Sequence, residues 1–221
     1  ALALFKAVGA KLGEANVLQA IGDVQQFRDD RDAALQSYAE ALALFKAVGA
    51  KLGEANVLKA IGDVQQFRKE NDAALKSYAE ALALFQAVGD RLGEANVLQA
   101  IGDVQQFRKE NDAALQSYAE ALALFKAVGA KLGEANVLAS QGKLYLIDDP
   151  KKADEFLERA VAIYRAIGDR YSVPAQIGNY GWELLRLGKR DRARAYLLKA
   201  AKLFEEMGFM DYAERHYQAA K

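Results

Sequence analysis

The chain has 221 residues, 52% of them hydrophobic, and its 30 basic residues balance 30 acidic ones, so the formal net charge is zero. This balance gives no overall field that would favour nucleic acid or an anionic membrane as a partner. Cysteine is absent, which excludes disulfides, thiolate metal sites and cysteine nucleophiles. Without a signal peptide or an apolar run near the length of a membrane span, the sequence predicts a cytoplasmic location.

The residues follow a fixed period. A block at residues 1–40 returns almost letter for letter at 41–80 and 81–120, and a fourth copy departs from it after Leu138. Such a period indicates one supersecondary unit that buries its apolar face by stacking on copies of itself. We predict a single solenoid domain over residues 1–221, with near-identical repeats over 1–138 and divergent repeats and a cap helix over 139–221. The chain begins within the pattern and lacks an initiator Met, which favours a fragment of a larger protein.

Each unit contains two amphipathic segments. In the first unit, apolar residues at three- and four-residue spacing predict helices from about 12 to 28 and from about 31 to 48. Asp32, Asp72 and Asp112 are predicted to cap the second helix of their units. Glycines with positive φ are expected to end that helix, at Gly9, Gly49, Gly89 and Gly129. Short links make neighbouring helices antiparallel.

Small and aromatic residues recur at fixed places within the unit. The first such set contains the large residues Leu18 and Ile21 as well, and consists of Leu18, Ile21, Gly22, Ala34, Tyr38 and, at the start of the second copy, Ala41. Small residues at Gly22 and Ala34 allow two helices to cross closely. This spacing resembles the signature of the tetratricopeptide repeat (TPR), and HEAT or armadillo repeats are the alternative helical arrays. The TPR resemblance implies an all-α, right-handed superhelical solenoid of antiparallel helix pairs, with about five repeats, a half-helix at the N-terminus and a terminal helix.

The unit departs from an ordinary TPR in several ways. The family's turn glycine is replaced by Asp29, Lys69 and Lys109, and the repeat has about 40 residues instead of about 34. Long units of this kind resemble the sensor arrays of bacterial signalling ATPases of the STAND type. That resemblance implies a ligand-sensing or protein-interaction domain.

One sector of each first helix, which we call the stripe, carries amides, acids and an aromatic residue. In the TPR family the corresponding positions line a concave groove, so the resemblance implies a peptide-binding surface here. The candidate residues are Asn56, Lys59, Asp63, Gln66 and Phe67 in the second repeat, Asn96, Gln99, Asp103, Gln106 and Phe107 in the third, and Asn136 and Lys143 in the fourth. The alternative is that the polar residues are only solvated and the phenylalanines seal the turn.

Large aromatic and basic residues concentrate after residue 139. Trp182 stands at the position that the aspartate of the stripe has in the near-identical repeats. We predict that it contacts the bound partner. The basic run from Arg186 to Arg194 is either a dock for a phosphate or an acidic peptide, or a solvated surface balanced by Glu183 and Asp191. The second interpretation is favoured.

Nothing in the sequence indicates catalysis. His216 is the only histidine and no nucleophile lies in a known motif, so we predict a packing or surface role for it and no enzyme activity, cofactor or metal. The expected partner is a protein or a peptide, with neither nucleic acid nor a membrane. We also predict head-to-tail self-association through the open ends of the solenoid. The alternative function is a structural or designed self-stacking array with no specific ligand.

Overall fold

A computed structural model describes residues 2–7 and 9–221. Over these residues the chain forms twelve α-helices and no strand. The helices are α1 (Leu2–Ala7), α2 (Lys11–Phe27), α3 (Arg31–Val48), α4 (Lys51–Phe67), α5 (Asn71–Val88), α6 (Arg91–Phe107), α7 (Asn111–Ala127), α8 (Lys131–Leu144), α9 (Pro150–Ala166), α10 (Ser172–Arg186), α11 (Arg190–Glu206) and α12 (Met210–Ala219). No helix among the described residues is both long and apolar enough to cross a membrane.

The predicted helix bounds and glycine stops are confirmed. Helices α2 and α3 begin and end within one residue of the expected positions. Gly49 has φ 69°, and the amide after it, that of Ala50, donates to the carbonyl of Phe45 at 3.0 Å. Glycine adopts this left-handed conformation without the steric cost that a Cβ brings.

The first helix of each near-identical repeat ends without a glycine, unlike the second helix. Asp29, Lys69 and Lys109 have φ of 68°, 62° and 64°. A left-handed conformation costs a residue with a Cβ about 1–2 kcal/mol. The repeat therefore accepts local strain where an ordinary TPR uses glycine.

The predicted capping role of Asp32 and Asp72 is wrong, and Asp112 lies within the first turn of α7. Helix α3 begins at Arg31, so Asp32 lies inside the first turn, and neither α3 nor α5 has a side-chain cap. The carboxylate of Asp32 instead accepts from the guanidinium of Arg68 at 2.6 Å, one repeat further along. Asp72 accepts from Arg108 at the same distance.

Two compact units divide the chain, Ala1–Leu124 and Phe125–Lys221. In the first unit α2 packs on α3, α3 on α4 and α4 on α5. The core between repeats contains Tyr38 and Phe45 of α3 with Val57 and Val64 of α4, all at most 1% exposed. A Cβ at Gly22 would lie 2.5 Å from the ring of Tyr38, which explains why the close crossing needs glycine.

The second unit is built from pairs as well. Helix α8 packs on α9, α10 on α11 and α11 on α12. Its largest fully buried aromatic side chains are Phe125, Tyr164, Tyr180 and Phe204. His216 is 6% exposed and occupies the space over Gly178, where a Cβ would lie 2.3 Å from its Nε2 atom. The units divide inside α7, ahead of Leu138 where the near-identical sequence ends, and the single solenoid domain stays a prediction.

Candidate functional site

The acids and amides of the predicted stripe hold a buried tyrosine of the partner helix. In the second repeat the hydroxyl of Tyr78 donates to Asp63 at 2.8 Å and to Gln66 at 2.8 Å. The same network joins Tyr38 to Asp23 and Gln26, and Tyr118 to Asp103 and Gln106. The stripe therefore fastens the two helices of each repeat together, a role that the sequence analysis missed.

Burial and these carboxylates control the ionisation of the tyrosines. Burial is the first cause that raises the pKa of Tyr78 far above its usual range, and the negative charge of Asp63 raises it further. Burial and Asp23 do the same for the pKa of Tyr38. At neutral pH each hydroxyl is a proton donor, so one oxygen of each carboxylate is held in a fixed position.

The charges along the stripe differ between repeats. In α4, the Nζ atom of Lys59 lies 2.7 Å from the second carboxylate oxygen of Asp63, and both side chains are about one third exposed. An ion pair with this exposure contributes little stability. The third repeat has Gln99 in place of Lys59.

Five of the predicted residues come together around one cavity of about 410 Å³. They belong to the second and third repeats and are Asp63, Gln66, Phe67, Asp103 and Phe107. The rings of Phe67 and Phe107 are 68% and 60% exposed, so they do not serve as a core seal. An acidic and aromatic surface available to solvent remains at this place.

Lys69 and Asn71 also line the cavity, and the sequence analysis did not include them. Lys69 lies in the turn after α4 and Asn71 is the first residue of α5, a stretch where the repeats differ most clearly. The first repeat has Asp29 and Arg31 at the corresponding positions. That difference among otherwise near-identical copies was the available signal.

The remaining predicted residues of these two repeats lie outside the cavity lining. Asn56 and Asn96 are exposed near the beginnings of α4 and α6, and Lys59, Gln99 and Gln106 are half-buried. The cavity thus uses the C-terminal ends of the first helices and not their whole length.

The predicted residues of the second unit take up other contacts. The amide oxygen of Asn136 accepts from the hydroxyl of Tyr164 at 2.5 Å. Lys143 is half-buried near the end of α8. The ring of Trp182 is half-buried, with its centroid 6.1 Å from that of His216 and 5.6 Å from the guanidinium of Arg215.

Part of the basic run is engaged within the unit. Arg192 donates twice to Asp154, at 2.8 and 2.9 Å, and the hydroxyls of Tyr180 and Tyr196 donate to the same carboxylate. Arg186 pairs with Glu183 at 2.8 Å. Glu183 is therefore one of the balancing acids, as predicted, and Asp154 is a second one that sequence spacing did not suggest. Across residues 2–7 and 9–221, no group of three or more histidines and acids could hold a metal ion.

Comparison with known proteins agrees with the repeat pattern. Models of the tetratricopeptide repeat match residues 53–127 and 177–206. Among curated protein sequences, none matches this chain.

Many solved structures are similar to this chain, and three that match most of it are informative. BtubC (BKLC) from P. vanneervenii has a TM-score of 0.74 and 20% identity, over 90% of this chain and 82% of its own. The Rap conjugation gene regulator of plasmid pLS20, solved with the Phr* peptide, has a TM-score of 0.68 and 14% identity, over 96% of this chain and 59% of its own. A STAND protein with a TPR sensor from Pyrococcus horikoshii has a TM-score of 0.70 and 17% identity, over 94% of this chain and 36% of its own.

At these identities the structures show the fold alone, and this chain spans only about a third of the STAND protein's length. The predicted class, an all-α superhelical stack of helix pairs, is confirmed. HEAT and armadillo are set aside, because the matching family models are those of the tetratricopeptide repeat. The chain is a TPR-like repeat protein, and its fold resembles that of a STAND protein with a TPR sensor.

Proposed function

We propose that the chain is a protein-interaction scaffold that binds a peptide segment at the cavity between the first helices of its second and third repeats. One observation carries this proposal. Five side chains of the predicted site, from two repeats 40 residues apart, line the same open cavity. The match to TPR models supports it, because repeats of this kind serve as interaction surfaces. The Rap regulator with a similar fold, solved with the Phr* peptide, is a relevant precedent.

The chemistry of the cavity suits a peptide better than a small apolar ligand. Carboxylate, amide and ammonium groups of Asp63, Gln66 and Lys69 stand beside the two phenylalanine rings. Exposed rings provide the apolar contact, while the polar groups can satisfy backbone or side-chain groups of an extended segment. Burying an exposed phenylalanine contributes about 1.5–3 kcal/mol.

Removing both exposed rings tests the proposal while the buried tyrosines keep their hydrogen bonds. Asp63 and Asp103 are unsuitable, because they hold the hydroxyls of Tyr78 and Tyr118. Peptides would be selected from a displayed random library on the unmodified protein. We expect Phe67→Ala with Phe107→Ala to weaken their binding about a hundredfold or more, since 1.4 kcal/mol corresponds to a tenfold change.

The matched control removes two other exposed apolar side chains from the same helices. Leu52 and Leu92 are 48% and 47% exposed in the first turns of α4 and α6, and they lie outside the cavity lining. Leu52→Ala with Leu92→Ala should leave the dissociation constants unchanged, as measured by fluorescence anisotropy. Selected peptides that bind both double variants equally well would rule out this cavity as the site.

A second candidate function, head-to-tail self-association, rests on the uncovered face of α2. Val24 is 51% exposed, whereas its copies Val64 and Val104 are at most 1% exposed. The packing of α3 against α4 explains the burial of Val64. Beside Val24 is a cavity of about 640 Å³ with a mostly apolar lining that includes Val17 and Ile21.

We propose that α12 of a second copy covers this face. Met210 and Tyr212 of that helix are 57% and 45% exposed, and Phe209 before it is 40% exposed, so α12 offers apolar surface of its own. Association of two such faces would form a heterologous contact that repeats from molecule to molecule.

Sedimentation velocity tests this association. The unmodified protein should sediment faster as its concentration rises, and Val24→Glu should abolish that increase because a charge would be buried in an apolar contact. Val88→Glu is the control, since Val88 is 41% exposed elsewhere in the same unit, and it should associate normally. A monomer at every concentration would contradict the proposal.

A further inference from the structure

The first and second repeats together form one example of the contact that the cavity offers. The guanidinium carbon of Arg31 lies 3.7 Å from the centroid of the Phe67 ring. The same guanidinium pairs with the carboxylate of Asp29, two residues earlier in the turn. A planar guanidinium stacked on an aromatic face is a favourable cation–π arrangement.

One repeat further along, the aromatic ring is kept and the arginine is missing. Phe107 corresponds to Phe67, but Asn71 replaces Arg31 and Lys69 replaces Asp29. The side chain of asparagine is shorter and carries no charge. Asn71, Lys69 and Phe107 all line the cavity of about 410 Å³.

The charges of the lining favour a cation over an anion. The carboxylates of Asp63 and Asp103 line the cavity, and the one cation in that lining is Lys69. Tyrosine hydroxyls donate to both carboxylates, at 2.8 Å for Asp63 and 2.6 Å for Asp103, and hold one oxygen of each in a fixed position. Lys59 offsets part of the charge of Asp63.

We propose that this cavity takes an arginine side chain of the bound peptide, with its guanidinium stacked on Phe107 beside the carboxylates of Asp63 and Asp103. The inference rests on the proposed function and specifies its ligand. Arginine fits better than lysine, because its flat guanidinium can stack on a ring and donate to carboxylates at its edge at the same time.

Two short peptides test the chemistry. The probe is Ala-Ala-Arg-Ala-Ala with both ends blocked, and its analogue has citrulline, which keeps the planar shape of arginine without the charge. In ligand-observed NMR titrations at low ionic strength, we expect the arginine peptide to bind about tenfold more tightly, the scale of a partly desolvated cation–π contact. Equal affinities would overturn the inference.

A graft of the first-repeat turn tests the location. Lys69→Asp with Asn71→Arg reproduces the Asp29 and Arg31 pair, whose geometry the fold already accepts in the first repeat. Its own guanidinium should cover Phe107 and remove the preference for the arginine peptide. The matched control, Lys109→Asp with Asn111→Arg, makes the same change one repeat later, outside the cavity lining, and should keep the preference.

The outcomes separate this inference from the proposed function. If the grafted variant still prefers arginine to citrulline by about tenfold, arginine does not bind in this cavity and the inference is wrong. If library peptides require Phe67 and Phe107 but bind equally well with citrulline, the inference fails while the proposed function stands. If no peptide requires these rings, both fail.

Discussion

Alkaline pH should unfold the protein, with helix content falling between about pH 10 and 12, because buried tyrosines have to lose their protons. The hydroxyls of Tyr38, Tyr78, Tyr164 and Tyr180 are at most 1% exposed, and burial raises the pKa of each well above its usual range. Burial raises the pKa of Tyr196 to about 12. A tyrosine whose folded pKa lies above its unfolded value stabilises the fold fully below the unfolded pKa, near 10, and loses that contribution as the pH rises.

The size of the effect is comparable to the whole stability of a domain. Each such tyrosine lowers the free energy of unfolding by about 1.4 kcal/mol for every pH unit above its unfolded pKa. Four of them together remove roughly 5 kcal/mol per pH unit, whereas a typical domain is stable by about 5–15 kcal/mol. Two pH units are therefore enough to populate the unfolded chain.

Denaturant titrations followed by circular dichroism at several pH values measure this dependence. The slope of the unfolding free energy against pH, between about pH 10.5 and 11.5, should be less steep in Tyr38→Phe with Tyr78→Phe by about 3 kcal/mol per pH unit. The slope is the useful quantity, because the lost hydrogen bonds lower the stability of this variant at every pH. A slope equal to that of the unmodified protein would contradict the assignment.

Gly62→Ala should destabilise the protein by about 2 kcal/mol, although alanine favours helix. A Cβ at this position would lie 2.5 Å from the ring of Tyr78. The ring cannot easily move away, because its hydroxyl is held by Asp63 and Gln66. Overpacking of about 1–3 kcal/mol, with hydrogen bonds strained as well, outweighs a gain in helix propensity of about 1 kcal/mol.

A double-mutant cycle separates this mechanism from a general loss of packing. Tyr78→Phe releases the ring from its two acceptors, so Gly62→Ala should cost less in that background than in the unmodified protein. Gly49→Ala is the backbone control, because nothing lies within 4 Å of its Cβ position. Its loss of stability should come only from the left-handed backbone, φ 69°, which alanine adopts less easily than glycine. Equal costs of Gly62→Ala in both backgrounds would show that the tyrosine hydroxyl does not hold the ring.

Helices and their stacking were predictable, because the sequence carries that information locally. Apolar residues at helical spacing fixed the bounds of α2 and α3 to within one residue, and Gly49 ended α3 as expected. The small residue at Gly22 marked the helix crossing, where it faces the ring of Tyr38. Each of these features depends on backbone geometry that a single repeat contains.

The roles of the stripe residues were not predictable from a helical wheel. A wheel shows which residues share a face, but Asp63 receives its hydrogen bond from Tyr78, 15 residues later on the partner helix. Asp32 was likewise misread, because its partner Arg68 lies 36 residues away in the next repeat. Contacts between elements decide these roles, and periodicity within one element does not contain them.

The cavity lining contains residues that the sequence predicted and residues that only the structure reveals. Phe67 and Phe107 were expected on the candidate surface, and the structure leaves them exposed at its edge. Lys69 and Asn71 were not expected, because a turn with φ of 62° at Lys69 brings it to the same side as the rings. The difference between Arg31 and Asn71 becomes informative only in the structure, which places Arg31 on the ring of Phe67 and Asn71 in the same cavity lining as Phe107.

The most direct test of the proposed binding site places a fluorine on the ring of Phe107. The protein would carry 4-fluorophenylalanine at position 107 and be titrated with blocked Ala-Ala-Arg-Ala-Ala, while the ¹⁹F resonance is recorded. A second sample, labelled at Phe209, which is 40% exposed in the other unit, serves as the reference. If the arginine side chain stacks on Phe107, the resonance at position 107 should shift and saturate, and the resonance at position 209 should not move. No shift at position 107, or an equal shift at both, would contradict this stacking.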